Sequence, residues 1–513
     1  MPNRPMVYFI GAGPGDPGLI TVRGAACLGR ADVVVYDRLV HPSLLRHARP
    51  DAERIDVGRA APKAEARDAI AYLLLEKVRE GKRVARLKWG DPFVFDDGGE
   101  EALFLHEHGV PFEVVPGVPA AVGGPAYAGI AVTYRGGGNA LTLVRGHEDA
   151  SDEAPDLDWK SLARLDGTIV CYAGARQIAA VLTALRDAGR PVDEPVALIY
   201  NATMPTQQTI TGTLGELAHA ALPTEVRPAM IVVGRVAGLR EHMRWFDVRP
   251  LSGKRVVVTR PREQGRELVE LFEEQGAEVI LAPTVRVAPP TGYDTLDEAC
   301  AAIGTFNWVV LPTLAGTEVF IRRLLAGSGD IRSLHGVGIC AIGGTAAERF
   351  ADVGVRIDLT LSEYRSEALV EALSRDRPLT GQRILLLRAE GAKDILAAEL
   401  RKAGADVVDI AAYRTVKVLP GDPGEPDLYK QLLEQQVDVL AFGNPSTARE
   451  FVDIYGAEAL ADLLRTTVVA CIGPVTAQAL QAHGIGTPVV AEDHTSAGLV
   501  AAVIRHLHAP GKR

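Results

Sequence analysis

Short apolar, β-branched runs recur along the chain: VVVY at 33–36, IVVG at 231–234, VVVT at 256–259, ILLL at 384–387 and VVAC at 468–471. Between them lie helical stretches rich in Ala, Leu, Glu and Arg. Strand-sized runs alternating with helices predict α/β folding on mostly parallel sheets. The rhythm breaks at WFDVRPLSGKR, 245–255, where Pro250, Ser252 and Gly253 precede a new strand, RVVVTRP. A softer break falls at GGGNALTLV, 136–144, where three glycines separate two α/β blocks.

The second half repeats itself. KRVVVTRPREQGRELVELFEEQGAEVILAPTVRV (254–287) is similar to QRILLLRAEGAKDILAAELRKAGADVVDIAAYRTV (382–416), about 128 residues later. FNWVVLPTLAGTEVF pairs with VDVLAFGNPSTAREF, and CAIGGTAAERF with CIGPVTAQAL, at nearly the same spacing. Two similar α/β domains follow, with ligands expected beyond the C-terminal strand ends, at the TRP, LRAEG, GNPS and IGPVT turns.

Composition narrows the function classes. A chain of 513 residues is too long for one core. The net charge of −10 disfavours general binding to nucleic acid or anionic membrane, while leaving room for an anionic small substrate at local arginines. No apolar run is long enough to span a bilayer, and the first strand begins almost at once with no signal-peptide layout, so a cytoplasmic protein is expected. The five cysteines are scattered, without a CxxC pair or neighbouring histidines, so neither disulfides nor a metal site are expected.

GAGPGDPG, 11–18, has the G-x-G of a dinucleotide turn, but Pro14 follows and the third glycine is misplaced. RLKWGDPFVFDDGGEEALFL (86–105) and VPGVPAAVGGPAYAGIAVTYRG (115–136) add two more loops of small residues that permit close backbone approach. With ADVVVYDRLV, PAMIVVGRV and LREHMRWFD in order, residues 6 to 247 resemble the tetrapyrrole methyltransferases, specifically uroporphyrinogen-III C-methyltransferase. The resemblance implies S-adenosylmethionine held by Pro14, Trp89-Gly90-Asp91, Val94, Pro119-Ala120, Ala173 and Ala202. It makes Asp37 the catalytic carboxylate, puts Arg59 where the family has a catalytic lysine, and gives Glu100 and Arg135 to the substrate. Three departures stand out: Trp89 for a glycine, Asp97 for an arginine that would meet substrate carboxylates, and Ala173 for a methionine.

Read from its residues alone, the repeat half has no Ser-His-Asp order, metal cluster or Walker loop. Its turns offer backbone N–H groups and hydroxyls suited to carboxylates or phosphates. TRP, LLLRAEG, AAYRTV, FGNPSTAREF, IGPVTAQAL and TSAGLVAAV together resemble uroporphyrinogen-III synthase over about 252–508. That implies ring closure of hydroxymethylbilane with inversion of the last ring and loss of water, without a cofactor. Tyr413 would protonate the leaving hydroxyl, and Thr259, Ser446 and Thr476 would hold substrate arms.

The expected organisation is therefore a two-lobed methyltransferase fold at 1–246 (lobes about 1–136 and 137–246), a linker at 247–254, and a duplicated synthase fold at 255–508. Its lobes would be 255–287 with 414–508, and 288–413. The expected activity is formation of uroporphyrinogen III and its methylation to precorrin-2, with a homodimer through the methyltransferase half and no nucleic-acid or membrane partner. The rival readings are a synthase with a degenerate methyltransferase module, a non-catalytic tetrapyrrole-binding scaffold, and a nicotinamide enzyme.

Overall fold

The structure, a computed structural model, describes residues 4–58, 63–146, 155–223, 228–327, 329–342, 344–361, 366–375, 377–392, 394–419 and 427–509. The chain divides into two compact units, Met1–Lys254 with Glu273–Glu278, and Arg255–Phe272 with Val279–Arg513.

The first unit opens with strands β1 (Met6–Gly11), β2 (Val33–Tyr36), β3 (Glu53–Asp56), β4 (Arg83–Lys88) and β5 (Phe112–Val115), ordered β3-β2-β4-β1-β5. All the pairings are parallel. Both faces are covered, because alternate side chains of one strand serve different layers. Val7 and Phe9 enter one core with Val33, Val35 and Leu105, while Ile10 joins Val34, Leu87 and Val115 in the other. The connections out of β1 and β4 leave in opposite directions, so the crevice between these two strands is the sheet's topological switch point.

The second sheet of this unit holds β6 (Ala140–Arg145), β7 (Gly167–Gly174), β8 (Pro195–Tyr200), β9 (Gln208–Thr213) and β10 (Pro228–Val233), in the order β6-β7-β10-β8-β9. Here the expectation of mostly parallel sheets fails. Only β6 and β7 run parallel; β7·β10, β10·β8 and β8·β9 are antiparallel. The turn from Asn201 to Gln207 is too short for a crossover helix, so β9 returns beside β8 as a hairpin.

The second unit contains β11 (Arg255–Val258), β12 (Glu278–Leu281), β13 (Val285–Ala288), β14 (Trp308–Leu311), β15 (Gly338–Ile342), β16 (Leu359–Leu361), β17 (Arg383–Ala389), β18 (Asp406–Lys417), β19 (Val439–Phe442), β20 (Val468–Cys471) and β21 (Val489–Val490). One sheet is ordered β12-β11-β19-β20-β21 and the other β13-β18-β17-β14-β15-β16. Apart from the antiparallel edge strand β13, the two orders correspond strand for strand under the internal repeat. The repeats are nevertheless not the lobes. Each sheet takes its first two strands from one repeat and its last three from the other. The switch points are β11/β19 and β17/β14.

Candidate active sites

In the first unit the glycine loops meet at the β1/β4 switch point. Ala12 N–H donates to Lys88 O at 2.8 Å, and Gly13 and Gly90 exchange backbone hydrogen bonds at 3.1 and 2.9 Å. The third loop closes on both: a Cβ at Gly117 would lie 2.2 Å from Gly90 O, and one at Gly11 would lie 2.4 Å from the Gly117 backbone. Gly90 sits at φ +69°, with a Cβ there meeting only Ala120 N at 3.9 Å, so backbone lines open space at this turn. These loops form a cradle of bare backbone.

Side chains lock the cradle. Trp89 Nε1 donates to Pro14 O at 3.0 Å, and its ring packs in the layer that holds Val94, Ala120, Ala202 and Met230. Asp91 is used twice, its Oδ1 accepting from Phe93 N–H at 2.8 Å and its Oδ2 from Gly117 N–H at 3.0 Å. From the second sheet, Thr203 Oγ1 accepts Asp16 N–H at 2.9 Å, and Tyr172 Oη accepts Ala121 N–H at 3.1 Å. Phe95, Asn201 and Thr203 all take positive φ (54°, 47° and 65°), so strained backbone gathers at this cleft.

Beneath the loops lies a buried charge cluster. Arg86 and Lys88, on one face of β4, are each 1% exposed. Arg86 reaches Asp37 at 2.7 Å and Glu101 at 2.9 Å; Lys88 reaches Asp96 at 2.7 Å, Glu101 at 3.0 Å and Asp37 at 4.0 Å. Two cations thus face three carboxylates. Burial works against the charges on Arg86 and Lys88, but the carboxylates hold both groups above their usual pKa. Burial would raise Glu101, yet Arg86 and Lys88 hold it below the usual value. The Asp96 carboxyl loses that contest: burial pushes it up to about 6 despite Lys88. Arg86 Nη1 is left without a hydrogen bond.

In the second unit, Tyr413 is 7% exposed, and its hydroxyl donates to Thr313 Oγ1 at 3.1 Å. Thr313 also accepts Gly316 N–H, capping helix Leu314–Ala326 just beyond β14. The β17/β18 register shifts beside Ala389 and Tyr413, and this irregularity places Ala412 and Tyr413 in the same core. Burial raises the Tyr413 pKa, so the phenol keeps its proton at neutral pH.

Residues 6–218 match the family model described as Tetrapyrrole (Corrin/Porphyrin) Methylases, and residues 266–501 match Uroporphyrinogen-III synthase HemD. A porphyrin biosynthesis protein HemD of Ruminiclostridium josui is 35% identical over 492 residues, 95% of either chain. The chain belongs to this fused methyltransferase–synthase family. A uroporphyrinogen-III C-methyltransferase of Bacillus subtilis is 36% identical over 331 residues, covering 64% of this chain and 68% of that one. The solved uroporphyrin III C-methyl transferase of Thermus thermophilus is 37% identical over 45% of this chain and 92% of its own, with a TM-score of 0.39. The fused enzyme thus carries an S-adenosylmethionine-dependent uroporphyrinogen-III C-methyltransferase and a uroporphyrinogen-III synthase, both of tetrapyrrole biosynthesis.

The structure brings together Pro14, Trp89, Gly90, Asp91, Val94, Pro119, Ala120 and Ala202 around the glycine loops, with Asp37 on the charge cluster below. The other assigned residues vary in burial and orientation. The Ala173 methyl faces the opposite core of its sheet, with Cys171 and Ile231, whereas the neighbouring Tyr172 belongs to the loop side. Glu100 is exposed, and its neighbour Glu101 takes the buried place. Arg135 is exposed on the surface. Arg59 lies outside the described residues. In the synthase half Ser446 is exposed at a helix start, its Oγ donating to Asn444 Oδ1 at 2.8 Å. Thr259 is fully buried, its hydroxyl donating to Ala441 O at 3.2 Å, and Thr476 is 2% exposed.

The nicotinamide reading fails on local geometry. A dinucleotide phosphate needs the glycine turn to open directly into a helix N-terminus. Here a short turn, Pro17–Leu19, intervenes, and helix Val22–Leu28 is capped by Thr21, which accepts Gly24 N–H at 3.0 Å. Sequence reasoning overlooked Arg86, Lys88, Asp96, Glu101 and Thr203. Its missed signal was two basic residues two apart toward the end of a central strand, a spacing that puts both on one sheet face.

Proposed function

We propose that the methyltransferase half, residues 1–246, holds S-adenosylmethionine on backbone groups of Pro14, Trp89-Gly90-Asp91, Val94 and Pro119-Ala120, with Ala202 and the Ala173 backbone from the second sheet. The cofactor supplies an electrophilic methyl group. A neutral ring that gains it carries a positive charge until it gives up a proton, and Asp37 accepts that proton. Arg86 at 2.7 Å orients the carboxylate. The observation that carries this reading is the placement of Asp37 at the end of β2, over buried cations, beside loops that present bare backbone. Arg59, Glu100 and Arg135 are assigned to this site by resemblance alone.

After the linker at 247–254, the synthase half, 255–508, closes hydroxymethylbilane to uroporphyrinogen III without a cofactor, by holding a flexible chain so that its ends meet with the last ring inverted. Tyr413, a protonated phenol anchored by Thr313, donates to the departing hydroxyl. Ser446 offers a hydrogen bond to a substrate arm, and Thr259 and Thr476 shape the turns that receive such arms. We further read the protein as a cytoplasmic homodimer, joined through its methyltransferase half, with no nucleic-acid or membrane partner. Among the described residues no helix is long and apolar enough to cross a membrane.

One assay tests both halves. Purified protein is given hydroxymethylbilane with and without S-adenosylmethionine, and products are separated by isomer and mass. Isomer III, with two added methyl groups only when the cofactor is present, is expected. Unmethylated isomer III together with no calorimetric binding of S-adenosylmethionine would mean a degenerate methyltransferase module. Isomer I alone would remove the synthase assignment.

A further inference from the structure

The internal repeat supplies a control for one arginine. RVVVTR at 255–260 aligns with RILLLR at 383–388, so Arg260 and Arg388 occupy equivalent places beside the switch points of their sheets. Arg388 is closed. Its Nε meets Asp409 at 2.7 Å, its Nη2 pairs with Asp409 and reaches Asp394 at 3.2 Å, and its Nη1 donates to Ala392 O at 2.8 Å. Along the same alignment, the residue standing where Asp409 stands is Leu281.

Arg260 has therefore lost the carboxylate that its counterpart keeps. Its guanidinium is half-buried and donates to a neutral carbonyl, Gly443 O, at 3.0 Å. Among the described residues no carboxylate lies within ion-pair distance of it. Glu267, the nearest acidic influence, accepts from Ser496 Oγ at 3.0 Å instead. Burial lowers the Arg260 pKa, whereas every other arginine with a shifted pKa among the described residues is shifted upward. The side chain is also built into its place, since a Cβ on Gly443 would fall 1.8 Å from Arg260 Nε. A partly desolvated cation without an anion is unfavourable, and a planar fork of donors matches a carboxylate in two-point contact.

We propose that Arg260 binds one of the carboxylate arms of the linear tetrapyrrole, at the β11/β19 crevice, and so helps fix the geometry in which the synthase half closes the ring. This rests on the synthase reading above. The test uses the full chain and three variants: Arg260→Gln, Arg260→Lys and Leu281→Asp. The last restores the partner that Arg388 has, so it occupies Arg260 without removing it. KM and kcat for hydroxymethylbilane, the isomer ratio and thermal melting are measured for each.

Arg260→Gln is expected to raise KM by about ten- to a hundred-fold, the span of one charge-assisted hydrogen bond, with a smaller change in kcat. Arg260→Lys recovers part of the loss, as a point charge does for a fork. Leu281→Asp raises KM similarly while melting no lower than the parent. An unchanged KM in a folded Arg260→Gln or Leu281→Asp protein overturns the proposal while leaving the synthase reading intact. A parent protein that forms only isomer I removes that reading and the proposal with it.

Discussion

Replacing Asp96 with asparagine is expected to stabilise the methyltransferase unit, and to do so increasingly as pH rises. The native carboxyl is pushed from 3.8 to about 6, so between those values the folded protein binds more protons at this site than the unfolded chain. Stability then falls as pH rises through that window, and the loss is complete above the folded pKa. Two pH units at about 1.4 kcal/mol each give a cost of about 3 kcal/mol at pH 8 and about 1.6 kcal/mol at pH 5. Asparagine removes the ionisable group and keeps an oxygen for Lys88, which lies 2.7 Å from Asp96. Its added amide needs a partner of its own, which offsets about 1 kcal/mol. The variant-minus-parent difference from urea unfolding should therefore widen by about 1.4 kcal/mol between pH 5 and pH 8 and then level off. A difference that does not change with pH, or a variant less stable than its parent at pH 8, would refute the electrostatic account of the cluster.

Asp37→Asn is expected to slow methyl transfer by about a hundred- to ten-thousand-fold, with S-adenosylmethionine affinity by calorimetry essentially unchanged. Glu101→Gln takes from Arg86 and Lys88 the buried carboxylate they share and should cost about 3–5 kcal/mol in urea unfolding, whereas Glu100→Gln next to it should stay within about 0.5 kcal/mol. Tyr413→Phe should slow formation of isomer III by about a hundred-fold or more in single-turnover assays, because it removes the proton donor but keeps the ring in its core.

The glycine loops were legible in the sequence because close backbone approach demands small residues, and neither Gly11 nor Gly117 has room for a Cβ where the loops meet. The duplicated α/β plan was legible for a similar reason, since strand runs and turns repeat together. Strand direction was not. An apolar run such as PAMIVV reads the same whether its neighbours run with it or against it, and β10 proved antiparallel to both of its neighbours. Which of Glu100 and Glu101 is buried was readable. Gly98, Glu101, Ala102 and Leu105 form the buried stripe of helix Gly98–Glu107, and Glu100 falls off it. The Thr259 hydroxyl suits a substrate arm by residue type, but the strand pleat turns it into the sheet, where it donates to Ala441 O. Which residue of a turn faces outward is set by tertiary pairing that no local pattern records.

The exchange of strands between the two repeats dictates an order of assembly. The sheet containing β11 and β12 cannot be completed until β19 to β21 have been made. The inner sheet lies wholly within the intervening segment and can close first. When it does, the antiparallel pairing of Val285 with Lys417 brings the two ends of that segment together. Bridging roughly 130 residues of open chain would cost on the order of 4 kcal/mol in closure entropy, and the inner sheet removes that cost before the outer one forms. A nascent chain released after residue 419 is thus expected to protect the amides of β14 and β17 from hydrogen exchange while those of β11 exchange freely. The methyltransferase half emerges from the ribosome ahead of the synthase half, but it is the segment after residue 419 that decides when the synthase half becomes an enzyme.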